Sequence, residues 1–430
     1  MNDNSIETYK SNKNYFLHND MKTRIKLIIA AILLSNSIFA ATVEYKEIDD
    51  KYIESDVVRL DEKKGLSIET KAGDFAFKPY LLVQTTANYN WYDDEGLNLA
   101  DQDKIANIGF GIPNAIIGFS GKAFNIITFN IALNAAKSGS NLLQQAWFDI
   151  NIKDALRIRA GKFKVPYLQG YQTTLGETLF PTLPLSMTTN ANLNMSLNAV
   201  NPTFGLGFDL GVQLHGIVKD KFQYQVGVFN GNNGGLSANK TMSDDHKGLP
   251  SLLYAGRIAF MPFGVMPSHQ GIPSDLENNK LLFGLSANYN VEAEDESSND
   301  FRCGAELSWL YHRFFFSGEF YFLRMNWTER MQQQTTFDQL GGYVQAGYFI
   351  TDKIQPALRY DFYNRNGLDK KGYLNAPAAC FNYYFVRCNL KLQLMYQYMG
   401  RYGHETQLDR DNDDTGLATH TAMALLQYTF

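Results

Sequence analysis

The chain has 430 residues, 45% hydrophobic and 14% aromatic, with a formal net charge of −5, yet its mean hydropathy is slightly negative at −0.28. Three cysteines in that length exclude a disulfide-stapled scaffold. The apolar content excludes a disordered chain, and the lack of repeated apolar runs of about 20 residues excludes a helical membrane bundle. The acidic balance argues against nucleic acid as a partner.

The one concentrated apolar run is Leu27 to Leu34. Lys22, Arg24 and Lys26 precede it and a small-residue exit ending at Ala40-Ala41 follows. A basic start, a short apolar core and a small-residue end are the parts of a secretory signal peptide. Residues 21–40 are therefore expected to be a leader starting at Met21 and cleaved after Ala40, with residues 1–20 an upstream extension or mis-start. The mature chain then carries 34 bases against 41 acids, a net of −7. Residues 41–74 are charged and read as a periplasmic lead-in.

From Phe75 to Phe430 apolar residues recur at every second position in runs of about ten, which is strand periodicity. Leu390, Leu392, Leu394, Tyr396 and Tyr398 alternate with Lys391, Gln393, Met395 and Gln397; Leu210, Val212 and Leu214 alternate with Asp209, Gln213 and His215. Sixteen strands are predicted: 75–90, 106–119, 123–134, 144–152, 155–164, 208–218, 221–230, 251–262, 280–289, 301–311, 313–325, 338–350, 354–364, 373–385, 389–400 and 418–430. Their connections alternate short and long, except that 263–279, expected to be a tight turn, has 17 residues. Tyr89, Tyr289, Tyr311, Tyr348 and Tyr398 fall near strand ends on the apolar face. Alternating connection lengths and aromatic girdles are the pattern of an all-β, antiparallel transmembrane barrel of about 16 strands in an outer membrane. The chain ends Leu426-Gln427-Tyr428-Thr429-Phe430; outer-membrane barrels commonly end so, which makes Tyr428 and Phe430 the candidate signal for the barrel-assembly machinery.

Ala146-Trp147-Phe148-Asp149-Ile150 and Leu156-Arg157-Ile158-Arg159-Ala160-Gly161-Lys162-Phe163-Lys164-Val165-Pro166 resemble the phosphate-selective porin O and P family, as do Gly65-Leu66-Ser67-Ile68-Glu69 before the first strand and Gly211 to Gly216. The resemblance implies a 16-stranded barrel, trimeric, that passes small anions or other small solutes, with 165–207 as an inward-folded constriction loop. Two departures weigh against phosphate selectivity. The family's second strand usually carries two or three basic residues, where this chain reads Ile112 to Gly121 without one, and Glu177 to Asn201 has no Lys or Arg.

Alternation sorts charges by face. The expected pore-lining bases are Lys78, Arg157, Arg159, Arg257, Arg302, Arg359 and Lys391; the acids are Asp149, Asp209, Glu306, Glu319 and Asp361. The excess of about two bases implies a weak anion preference, unless Arg–carboxylate pairs simply satisfy one another across the lumen. Lys162 and Lys164 are placed at the mouth of the constriction. Acids gather instead in long loops, at Asp93-Asp94-Glu95, Asp244-Asp245, Glu292 to Asp300 and Asp409 to Asp414. These suit an outer surface facing lipopolysaccharide.

No nucleophile elbow, zinc helix or metal-spaced cysteine occurs, and Asp409 to Asp414 lacks the glycine of a calcium loop. No enzyme activity, cofactor or metal is expected. His420, on the last strand, is placed facing lipid with no obvious partner. The alternative function is a surface adhesin or antigen whose loops bind a partner. Segment 165–207 discriminates: folded inward it makes a filter, projecting outward it favours adhesion.

Overall fold

The computed structural model describes residues 56–61, 65–70, 72–92, 106–188, 207–231, 235–236, 249–291, 299–326, 336–364, 373–402 and 417–430. The leader at 21–40, the upstream residues, part of segment 165–207 and most of the acidic loop residues lie outside them. The strands are β1 (Asp56–Asp61), β2 (Gly65–Thr70), β3 (Ala76–Tyr92), β4 (Ala106–Ala123), β5 (Ile127–Asn134), β6 (Leu143–Lys153), β7 (Leu156–Lys164), β8 (Phe208–Val218), β9 (Phe222–Phe229), β10 (Leu253–Phe260), β11 (Asn279–Asn290), β12 (Asn299–Tyr311), β13 (Phe314–Asn326), β14 (Thr336–Tyr348), β15 (Ile354–Asn364), β16 (Tyr373–Val386), β17 (Leu390–Tyr402) and β18 (Leu417–Thr429).

Strands β3 to β18 each pair antiparallel with their sequence neighbours, and β18 pairs with β3 from Leu82 to Tyr92. This is a closed 16-stranded barrel, and every predicted strand has its counterpart. Closure gives each backbone donor and acceptor a partner, which hydrocarbon demands. Phe430 exchanges both backbone hydrogen bonds with Leu81 at 3.2 Å, so the terminal aromatic sits in the closing seam. Outward positions are apolar and exposed, as at Ile108, Phe110, Val212, Ile258, Leu285 and Leu358. Tyr89, Tyr311 and Tyr348 are also exposed, near opposite barrel ends.

The lead-in is not wholly irregular. β1 and β2 form a hairpin, and β2 takes the edge of β3 through Ile68–Phe77 and Glu69–Ala76, below the point where β18 ends. The turn predicted at 120–122 lies at 124–126 instead, with Phe124 and Asn125 at φ 56° and 58°. Gly121 suggested a turn, but it marks a close approach: a Cβ there would lie 2.1 Å from the Ala76 carbonyl oxygen. His420 has partners after all. The Tyr396 hydroxyl lies 2.8 Å from its Nδ1, and Trp91 stacks on it at 4.8 Å.

Gly161, inside the Arg-Ala-Gly-Lys-Phe-Lys run, has φ 122°, and a Cβ would fall 2.2 Å from the Ala146 carbonyl oxygen. A side chain here costs about 1–3 kcal/mol in backbone strain. Gly161→Val should lower the fraction of refolded barrel that migrates fast on an unboiled gel and shift the urea midpoint downward. An unchanged midpoint would refute this role.

Candidate functional site

Segment 165–188 leaves β7 and runs along the inside of the barrel, through helical turns at Gln169–Gln172 and Leu185–Thr188. Many of its hydrogen bonds are to the inward side chains of β10 to β18. The Gln169 amide donates to Glu306 and the Gly170 amide to Glu319. Leu185 N donates to Asp361 at 2.6 Å, as does the Ser186 hydroxyl. Free amides at the start of each helical turn thus meet a carboxylate, the usual way such donors are satisfied. Carbonyls of the segment are held by cations and amides. Arg359 donates to Thr182 O at 2.8 Å, Lys391 to Thr178 O at 3.0 Å, Gln427 to Gly176 O at 2.8 Å and Gln393 to Leu179 O at 3.2 Å.

Apolar knobs complete the seat. Tyr167, Leu168, Leu179 and Phe180 are fully buried, and burying such a side chain is worth about 1.5–3 kcal/mol. Two wall glycines leave the room: Cβ atoms at Gly304 and Gly347 would lie 2.9 Å from Leu168 and 2.7 Å from Leu179. The lumen is consequently asymmetric. Almost every inward position of β10–β17 is buried, whereas Lys78, Tyr80, Ser120, Lys122, Asn130, Gln145, Trp147, Arg157 and Arg159 on β3–β7 are only partly so.

This sorts the sequence-predicted residues into two groups. Arg257 pairs with Glu306 and donates to Gln169 Oε1 at 2.9 Å; Glu319 accepts from Tyr321 at 2.6 Å. Arg359 lies 3.8 Å from Asp361, both fully buried, with its guanidinium 4.4 Å from the Phe180 ring. With Lys391, these six lie against segment 165–188 rather than against open lumen. Arg302 is buried 3.6 Å from Asp300. Asp209 accepts from Gly231 N at 2.6 Å. On the open side Arg159 makes a bidentate pair with Asp149 (2.9 and 2.6 Å), lies 3.9 Å from the Trp147 ring, and shares Asp149 with His215 Nε2 at 2.9 Å. Arg157 meets Asp154 in the adjoining turn at 2.7 Å and is about one-third exposed. Lys78 is half-buried, paired in register with Ser120. Lys162 and Lys164 donate to Ser140 O (2.8 Å) and Thr173 O (2.7 Å), tying down two loops at the end of β7.

Sequence reasoning missed the neutral part of the site. Gln84 bonds Gln427 at 2.8 Å, Asn114 bonds Gln84 at 2.7 Å, and Asn134 bonds Asn114 at 2.9 Å, a relay across the closing seam. The signal was the same alternation that sorted the charges, read for amides. His215 was equally visible, beside Gln213 on the polar face.

Where the segment meets the connection between β10 and β11, Glu177 and Asp275 come together with His269 and Lys391. His269 Nδ1 lies 3.1 Å from Asp275 Oδ2. Burial pushes both carboxyls above their usual range; His269 opposes this for each, and Lys391 for Glu177. Burial also lifts the neighbouring Cys388 thiol, to about 12.

The chain belongs to the phosphate-selective porin O and P family, whose model matches residues 83–430. No curated protein matches it in sequence. Its fold is that of solved outer-membrane barrels at very low identity. The anion-selective porin from Comamonas acidovorans is 10% identical with a TM-score of 0.53, covering 83% of this chain and 100% of its own. The outer membrane channel DcaP of Acinetobacter baumannii is 12% identical with a TM-score of 0.52, covering 84% and 99%. OmpT of Vibrio cholerae is 10% identical with a TM-score of 0.51, covering 83% and 98%. The protein is an outer-membrane porin of a Gram-negative bacterium, a channel for small hydrophilic solutes.

Two outcomes follow from this geometry. Gly347→Val puts atoms where Leu179 sits, so chymotrypsin should cut within 165–188 several-fold faster in a barrel that still migrates as folded; equal protection would show that the seat is not needed. Both raised carboxyls favour the protonated junction. Their contribution is full below the ordinary carboxyl range and is lost as pH rises through the raised folded values. Hydrogen exchange at 174–179, corrected for intrinsic rate, should therefore slow as pH falls from neutral toward the ordinary carboxyl range. Glu177→Gln should reduce that dependence, and a pH-independent protection would refute it.

Proposed function

We propose that the protein is a passive, weakly anion-selective diffusion pore whose path runs between segment 165–188 and the wall of β3–β9. The observation that carries this reading is the burial asymmetry of the lumen: nearly all inward side chains of β10–β17 are buried, whereas on β3–β9 buried ones such as Gln84, Asn134 and Asp209 are mixed with partly open ones such as Lys78, Lys122, Arg157 and Arg159. The segment acts as the constriction, with Lys164 holding its root through Thr173 O and Lys162 beside it at the mouth, bound to Ser140 O. Lys78, Arg157 and Arg159 line the open path, joined by Lys122 and His215, with Asp149 offsetting Arg159. Arg257, Arg302, Arg359 and Lys391, with Asp209, Glu306, Glu319 and Asp361, are wall and anchor groups whose charges cancel or are buried. A basic rim around water favours anions. The anion-selective character of the structurally similar Comamonas porin supports the same sign. The missing bases at Ile112 to Gly121 and in 177–201 argue against a site suited to phosphate alone, so small anions and neutral solutes are the proposed cargo.

An inward segment favours a filter over an adhesin, because residues 165–188 of the longest connection are held against the lumen wall. A homotrimer, contact with lipopolysaccharide, and recognition of Tyr428 and Phe430 by the assembly machinery complete the proposal.

The test is a planar-bilayer recording of refolded protein under a salt gradient. Anion preference is expected, and Arg157→Ala with Arg159→Ala should lower the anion-to-cation permeability ratio by about two-fold or more. Millimolar phosphate should leave chloride current largely intact. No conductance from a folded barrel would sink the pore, and cation preference in the native protein would sink the anion assignment.

A further inference from the structure

Turn-side connections of this barrel are short, two to five residues at 124–126, 154–155, 219–221, 312–313, 349–353 and 387–389. The connection at 261–278 is the exception among them. It is not spare surface. Met266, Gln270 and Asp275 within it are buried. Gln169 Nε2 donates to Pro267 O at 3.3 Å, Thr174 N to Ser268 O at 2.9 Å, and Gln270 N to Glu177 O at 3.0 Å. The Gln270 side chain then accepts from Leu179 N at 3.0 Å. Gly271 O accepts from the wall residue Gln355 at 3.4 Å, and Ile272 and Leu276 pack on Phe349, Tyr384 and Cys388. Met266 joins Leu179 and Phe180 in one apolar cluster with β10–β17.

From this interlock we infer that the narrow part of the pore is built by two connections, one entering from each mouth, and that residues 264–276 are a positioning element for the constriction. The inference rests on the proposed role of segment 165–188. Without 264–276, the stretch Thr174 to Leu179 would have its amides at 174 and 179 and its carbonyl at 177 exposed in the lumen, and only wall side chains would hold it. A loop tied at both faces is fixed in height as well as in lateral position, so the width of the path depends on the turn side as much as on the loop side. Gln270 is the central residue, because its backbone and side chain both bind the segment.

The test uses the full-length barrel in two ways. A disulfide spans Cα atoms about 4.4–6.8 Å apart, and the Thr174 N–Ser268 O hydrogen bond at 2.9 Å brings these two backbones side by side. Thr174→Cys with Ser268→Cys, or with Pro267→Cys or His269→Cys in its place, should therefore cross-link, located by peptide mapping against the native Cys303, Cys380 and Cys388. Replacing 264–276 by a short glycine-serine turn should raise single-channel conductance at least two-fold. Gln270→Ala, which leaves the connection in place, should give a smaller rise with more current flicker. A folded, anion-selective barrel that fails to cross-link would overturn the interlock and leave the pore standing. A cross-linked barrel whose shortened variant folds and conducts as the native one does would overturn the positioning role. If the shortened variant does not fold, native conductance and flicker in Gln270→Ala would overturn it equally.

Discussion

Everything in this molecule depends on one requirement: no backbone amide or carbonyl can remain unpaired in hydrocarbon. A chain without long apolar helices can meet it only by closing a sheet. Closure of β18 on β3 fixes the parity of every strand, and parity sends alternate side chains to lipid and to lumen. The exposed Ile108, Phe110, Leu285 and Leu358 belong to the first set, and Asp149, Arg159, Glu306 and Asp361 to the second. The strand ends carry aromatic rings that suit the membrane–water interface, and there Trp91, Tyr396 and His420 join in one stack with a Tyr396–His420 hydrogen bond.

The protein covers the β10–β17 side of the lumen formed this way with its own chain. That covering has an electrostatic cost, since removing a carboxylate from water is expensive unless partners replace the lost hydration. Asp361 shows how the cost is met: it accepts from Leu185 N, Ser186 N and Ser186 Oγ, with Arg359 beside it. Arg257 is likewise satisfied by Glu306, Gln223 and Gln169. Such pairs add little net stability against an apolar alternative, but removing one partner is strongly destabilising. Their effect is to specify one seating of the segment, because only one register brings the two helical-turn starts onto Glu306, Glu319 and Asp361 together.

The barrel was legible in the sequence because alternation is a local signal. Sixteen strands and the side each residue faces could be read without knowing any long-range contact. The misplaced turn at Gly121 shows the limit of that signal, since a glycine needed for close approach to Ala76 looks the same as one needed for a turn. The hairpin β1–β2 was hidden by charge, its strands being six residues each, flanked by charged residues and separated in sequence by Glu62-Lys63-Lys64. The candidate site was half legible. Each charged residue could be assigned to the lumen face, but whether it meets water or protein depends on where 165–188 and 261–278 lie, and that is decided by contacts some 150 to 200 residues apart in sequence, as between Gly170 and Glu319 or Thr178 and Lys391.

That distinction changes what charge arithmetic can say about selectivity. Counting every lumen-facing group gives a small excess of bases, and the count treats Arg359 and Arg157 alike. Yet Arg359 lies fully buried within 4 Å of Asp361, whereas Arg157 is partly exposed at a turn. An ion crossing the pore feels the first as a dipole behind a protein layer and the second as a charge within a Debye length of about 8 Å. On the proposed path the groups nearest solute are those of β3–β9, where Lys78, Lys122, Arg157 and Arg159 are partly open while Asp149 and Asp209 are buried. On that wall these four bases are the partly open groups and the two acids the buried ones, a difference that the whole-lumen sum does not register. The net charge of the chain, which is acidic, bears on the surfaces outside the path and not on what passes along it.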